Sequence, residues 1–274
     1  MSGVLNTFYE NHFTIISVNK MKNDDEYAPM LNGLMQLLNK SFLVGFLILF
    51  GVNIYSFGQT KDFQSWNSMV IDWNLAPFLF ELELDYNSLL SGGQDWSEYA
   101  MQPSVEYYPN ASIDLFAGVY LTDTKQSDII DTKEVRPLIG FRWNIIKPKN
   151  RVFFRTQWKY EYRFFKSSED GKTSAGRLRI RADLYIPITQ KSYNMDKDLY
   201  GIILTEAFIN SDNDIKERYQ STFRQYLGLG YRFSYNWRFE MQYVFQAFRD
   251  SIYDEEADGR NNALFLTLKY YIPN

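Results

Sequence analysis

The chain has 274 residues with one histidine and no cysteine, 18% aromatic and 45% hydrophobic residues, and a formal charge of -4; its mean hydropathy is -0.37. The negative hydropathy argues against a bundle of transmembrane helices, each of which needs ~20 mostly apolar residues, but suits a barrel whose strands turn one side to a polar interior. Without cysteine there is no disulfide scaffold and no thiolate metal site, and the mild acidity argues against nucleic acid as a partner, which calls for a basic patch.

In chain order, the first distinct element is the apolar run Phe42–Tyr55, FLVGFLILFGVNIY, preceded by Lys40. At ~14 residues it is short for a membrane span and the right size for a signal-peptide core. Ser56 and Gly58 supply small residues at minus three and minus one of a cut before Gln59. Met35 opens MQLLNKSFLVGF, an ordinary signal start, so the expected organisation is an over-called start or disordered extension over 1–34, a signal peptide over 35–58 and the mature protein over 59–274.

From there the chain alternates. Trp66–Leu75 puts Met69, Ile71, Trp73 and Leu75 on one face, and Phe78–Tyr86 puts Phe78, Phe80, Leu82, Leu84 and Tyr86 against Glu81, Glu83 and Asp85. Similar segments follow at Tyr99–Tyr107, Ile113–Leu121 and Val135–Ile145, the last with Arg136, Arg142 and Asn144 opposite its apolar face. The clearest is Arg151–Phe165, RVFFRTQWKYEYRFF, whose even positions include Trp158, Tyr160, Tyr162 and Phe164 while its odd positions include Arg151, Arg155, Lys159, Glu161 and Arg163. Then come Arg177–Ile186, Leu199–Ile209, Tyr219–Phe233, Trp237–Ala247 and Ala263–Ile272. A period of two sends successive side chains to opposite faces. Faces rich in Trp, Tyr and Phe, on segments longer than the usual ~5–6 residues, fit transmembrane strands with aromatic girdles at the two interfaces.

The joints point the same way: short ones near Ala76–Pro77, Pro109–Ala111, Lys147–Asn150 and Ser234–Asn236, with a somewhat longer member at Gln190–Lys197, alternate with long polar ones at Leu89–Ser97, Asp123–Lys133, Lys166–Ala175, Ser211–Lys216 and Asp250–Asn262. That is the layout of periplasmic turns and external loops. The fold class is therefore all-β, a single antiparallel transmembrane β-barrel. Eleven segments are visible, yet bacterial barrels of this kind are even-numbered. The apolar positions slip from odd to even at Ala76 and Pro77, which a bulge, or a turn with the first segment tucked inside, would produce. The count is then ten strands, with twelve as the alternative.

These residues resemble a family of bacterial outer-membrane barrels classed as domain of unknown function 2490. The resemblance covers roughly Trp66–Asn274 and rests on an early Trp, FELELDY (Phe80–Tyr86), VRPLIGFRW (Val135–Trp143), GRLRIRADLY (Gly176–Tyr185) and an aromatic last strand; Asn74–Pro77 departs from the polar turn that usually ends the first hairpin. It implies a fold and a location, the outer membrane of a Gram-negative bacterium reached by signal-peptide export, and no activity.

Candidate chemistry is sparse. Outer-membrane lipases, deacylases and omptin-like proteases resemble one another in using a histidine base, and the one histidine here, His12, precedes the signal core. A carboxylate pair could still act, for example Glu81 with Glu83, two positions apart on one strand face, but such neighbours inside a barrel are more often partners of arginines than glycosidase-like catalysts. The chain is expected not to be an enzyme and to hold no cofactor or metal; the carboxylates of the last loop, Asp250, Asp254, Glu255, Glu256 and Asp258, read as a solvated surface rather than a calcium site. The chemically distinctive group is a cationic wall of Arg151, Arg155, Lys159, Arg163, Arg177, Arg179 and Arg181. Burying that many like charges unpaired is costly, so the expected partners are Glu81, Glu83, Asp85, Glu106, Asp183 and Glu240. The function expected is a structural or narrow-conduit barrel with a charge-filled lumen, its partners outer-membrane lipid and small ions or solutes. The alternatives are a small anion-selective pore, since arginine rings attract anions, and an enzyme using lumen or loop carboxylates.

Overall fold

The computed structural model describes residues 62–91, 95–126, 131–146, 152–167, 172–193, 195–211, 220–250 and 257–273, all within the unit Gln59–Asn274. The expected extension 1–34 and signal peptide 35–58, Arg151, and the loop residues Asp254, Glu255 and Glu256 lie outside the described residues, as do the side chains of Asp250 and Asp258.

The strands are β1 (Asp62–Leu75), β2 (Phe78–Ser91), β3 (Trp96–Asn110), β4 (Ile113–Gln126), β5 (Thr132–Ile146), β6 (Phe153–Ser167), β7 (Lys172–Pro187), β8 (Asp198–Asn210), β9 (Gln220–Arg232), β10 (Trp237–Asp250) and β11 (Ala257–Ile272). Each pairs antiparallel with its chain neighbour, and β1 pairs with β11 to close the sheet. Closure leaves no edge strand to recruit other chains.

The barrel thus has 11 strands, not ten or twelve. In an up-and-down sheet an odd count makes the first and last strands run the same way, so the closing pair is parallel, from Asp62↔Asn261 to Trp73↔Ile272. The parity slip at Ala76 and Pro77 is neither a bulge nor a tucked segment. β1 and β2 form a tight hairpin in which Leu75 faces Phe78 and Trp73 faces Phe80. Across a two-residue turn, facing residues are always one odd and one even, so one apolar face must change parity there.

The strands also outrun the sequence expectation at the end opposite the Ala76–Pro77 turn: β2 continues to Ser91, β4 to Gln126, and β11 begins at Ala257 rather than Ala263. The apolar alternation stops before the hydrogen-bonded ladder does. Joints expected at Leu89–Ser97, Asp123–Lys133, Lys166–Ala175 and Asp250–Asn262 are correspondingly shorter, which weakens the length contrast between the two ends.

The two faces are sorted throughout. On β6, Trp158, Tyr160, Tyr162 and Phe164 are 40%, 49%, 39% and 48% exposed, while Lys159, Glu161 and Arg163 between them are buried. Trp73, Trp143 and Trp237 are exposed near the strand ends on the Ala76–Pro77 side, and two of them sit beside another aromatic ring, Trp73 with Phe80 at 6.1 Å and Trp237 with Tyr270 at 4.5 Å. Inside, an apolar cluster joins Trp66, Phe153, Tyr185, Tyr193, Tyr200, Ile202, Leu204, Tyr226, Val244 and Ala263. Three interior rings lie across from glycines: Phe116 pairs with Gly140, Tyr200 with Gly230 and Phe248 with Gly259. A Cβ at any of these glycines would fall 2.3–2.5 Å from the partner ring, so the bare backbone is what lets the ring lie against the wall.

Candidate functional site: the barrel interior

The geometry of the interior follows from strand pairing. In β6 and β7 the odd positions point inward, and the register sets Arg155 against Asp183, Lys159 against Arg179 and Glu161 against Arg177. β8 then brings Glu206 opposite Arg181, and β5 brings Leu138 opposite Glu161. The cationic residues are therefore interleaved with carboxylates from three strands.

Four carboxylates tie the wall together. Glu161, fully buried, lies 2.7 Å from Arg177, 3.0 Å from Arg179, 3.0 Å from Lys159 and 3.7 Å from Arg136. Glu134 accepts paired hydrogen bonds from Arg136, at 2.7 and 2.7 Å, and from Arg163, at 2.7 and 2.9 Å. Such two-pronged guanidinium contacts are the stronger, more directional kind of ion pair. Asp183 accepts from Arg155 Nε at 2.7 Å and from Arg181 Nε at 2.6 Å. Glu206 accepts from Arg179 Nη2 at 2.6 Å and has Arg224 at 4.0 Å. Rings complete the enclosure. Phe165 lies 4.4 Å under Arg163, and Phe208 lies about 5 Å from Arg177, Arg179 and Arg224, a favourable cation–ring geometry.

The acidic residues expected as partners are distributed otherwise. Asp183 meets the wall as described. Glu81 lies 3.2 Å from Lys269, which also holds Asp72 at 3.0 Å. Glu106 pairs with Arg142 and accepts from the Tyr108 hydroxyl at 2.9 Å. Glu240 accepts from the Tyr200 hydroxyl at 2.7 Å and from Gln242 at 3.2 Å. Glu83 accepts from Ser68 Oγ at 3.2 Å and Asp85 from the Tyr120 hydroxyl at 3.5 Å. Among the described residues neither Glu83 nor Asp85 has an ion pair, and both are half-buried.

Sequence reasoning missed Glu134, Glu161, Glu206 and Lys269 as counter-ions. Glu161 carried a usable signal, since it alternates with Lys159 and Arg163 on one face. Glu134 stands in the same relation to Arg136, but before the apolar alternation of β5 begins. Lys269 becomes a partner only because β11 closes on β1.

The end nearest the Ala76–Pro77 turn is capped differently. The connection from β7 to β8 folds Tyr193 inward, where its ring centroid lies 5.4, 4.7 and 5.0 Å from those of Phe153, Tyr185 and Tyr200, and Arg238 donates to its hydroxyl. Burial pushes the Tyr193 phenol well above its usual range, so it stays protonated. Thr189 Oγ1 and the Gln190 amide both donate to Asp198 Oδ1, at 3.1 and 3.0 Å, which pins the connection to the start of β8.

Among the described residues no group of three or more His, Cys, Asp or Glu side chains is placed to hold a metal ion. No curated protein and no solved structure matches the chain. A family model described as "protein of unknown function (DUF2490)" matches residues 63–256, from the start of β1 to the approach to β11. That match takes in most of the chain, and the protein belongs to this family.

Proposed function

We propose that this protein is an outer-membrane β-barrel of a Gram-negative bacterium, exported with cleavage after Gly58, and that it serves as a braced wall with a narrow solute path rather than as an enzyme. The observation that carries this reading is the inversion of the usual surface. Large aromatic and aliphatic side chains such as Ile139, Trp143, Tyr160 and Leu229 are exposed round the outside, while Glu161, Arg163, Asp183 and Glu206 are buried within. Contiguous exposed apolar surface on this scale would drive aggregation in water, whereas lipid is its natural solvent and a closed barrel satisfies its own backbone there.

The path is narrow in this reading because long side chains cross-link the interior and Tyr193 occupies one end. Incorporation of purified, folded protein into a planar bilayer tests the conduit role. Small, reproducible conductance steps are expected; a closed trace from protein that is demonstrably folded contradicts it and leaves a purely structural barrel.

A further inference from the structure

The interior charges are segregated by side, not merely paired. Strands β1 to β4 place Asp72, Glu81, Glu83, Asp85, Glu106 and Asp114 at inward positions. The single basic residue on those four strands is Lys125, which alternation turns outward and whose side chain is 52% exposed. Guanidinium groups crowd β6 and β7 instead. Counting round the closed sheet, β7 is five strand steps from β2 one way and six the other, so the two walls stand across the barrel from each other.

The facing members of the two walls keep access to solvent. Arg155, Arg179 and Arg181 side chains are 22%, 17% and 27% exposed although they point inward, and Glu83 and Asp85 are half-buried opposite them. The carboxylates that hold the arginines in place, by contrast, are sealed. Solvent-accessible inward charge is therefore carboxylate on one wall and guanidinium on the other, and low-dielectric walls focus the field across the space between them.

We propose that this space favours small zwitterions, solutes carrying an ammonium and a carboxylate together, over neutral solutes of the same size and over simple anions or cations. A zwitterion lying across the barrel turns its ammonium to Glu83 and Asp85 and its carboxylate to Arg179 and Arg181. A lone ion is attracted by one wall and repelled by the other. This inference rests on the conduit reading and names the class of solute the conduit takes.

The test uses the folded protein in vesicles with glycine and with its neutral isomer glycolamide, subtracting uptake by protein-free vesicles, alongside ion conductance in a bilayer. The expected result is protein-dependent glycine uptake exceeding glycolamide uptake by roughly tenfold, at the low end of what focused fields achieve, with near-equal permeability to potassium and chloride. Replacing Glu83→Gln and Asp85→Asn together should bring the uptake ratio to about one and turn the ion preference toward chloride. Arg181→Gln should lower the ratio and turn it toward potassium. A heated versus unheated gel checks that each variant is folded. Equal uptake of the two isomers by a conducting wild-type protein overturns the inference alone, as does a ratio unmoved by folded variants. No conductance and no uptake overturns the conduit reading and this inference with it.

Discussion

Glu161 and Glu83 occupy comparable places, inward positions well inside a strand of one closed sheet, yet they are held in opposite ways. Glu161 on β6 is fully buried and surrounded by Arg177, Arg179, Lys159 and Arg136. Glu83 on β2 is half-buried and has a serine hydroxyl for its partner. On the β6–β7 side the carboxylates are structural, because removing one leaves several cations without compensation. On the β2 side the carboxylates cross-link nothing basic among the described residues, except where Glu81 reaches Lys269, and Glu83 and Asp85 take hydroxyl donors instead.

The same chemical change should therefore have very different effects on the two walls. The largest loss is expected from Glu161→Gln, about 3–5 kcal/mol, as for breaking a buried ion pair from one side, read as a lower urea midpoint for the detergent-solubilised barrel. A loss under ~1 kcal/mol would mean that the arginines are compensated elsewhere and would collapse the contrast. Next is Tyr193→Ala, which removes the ring packed on Phe153, Tyr185 and Tyr200; about 3 kcal/mol is expected for emptying an aromatic site, together with a larger conductance step because that end loses its cap. Arg181→Gln should cost less, about 1.5 kcal/mol for one charge-assisted hydrogen-bond pair, since Asp183 keeps Arg155. Smallest is Glu83→Gln, under ~1 kcal/mol, because an amide oxygen still accepts from Ser68. A Glu83→Gln loss as large as that of Glu161→Gln would show the β2 wall to be structural too.

Much of the fold was legible because the period of two is a direct consequence of strand geometry. Every segment with alternating aromatic residues became a strand, from Met69–Trp73 on β1 to the last strand ending at Ile272. The strand number departs from the even count usual in bacterial barrels, and the opposite parity of Trp73 and Phe80 is what encodes the two-residue hairpin. The interior was legible as a set of charges but not as a set of pairs. Pairing depends on register and on the reach of long side chains: Glu206, two strands from β6, binds Arg179 on the strand between. The partnership of Lys269 with Asp72 and Glu81 joins residues from the two ends of the barrel sequence, which local periodicity does not reveal. Tyr193 carried no pattern, because a loop that folds into a barrel reads like any other loop.

Whether the aromatic exterior is a lipid-facing surface closed on itself is decided by separating cell membranes and comparing unheated with heated samples of the outer-membrane fraction on a denaturing gel. The protein is expected to be recovered with the outer membrane, to need detergent for extraction, and to migrate differently before and after heating as the closed barrel resists and then yields to the denaturant. Recovery in a detergent-free soluble extract, with one mobility before and after heating, would contradict a lipid-facing exterior.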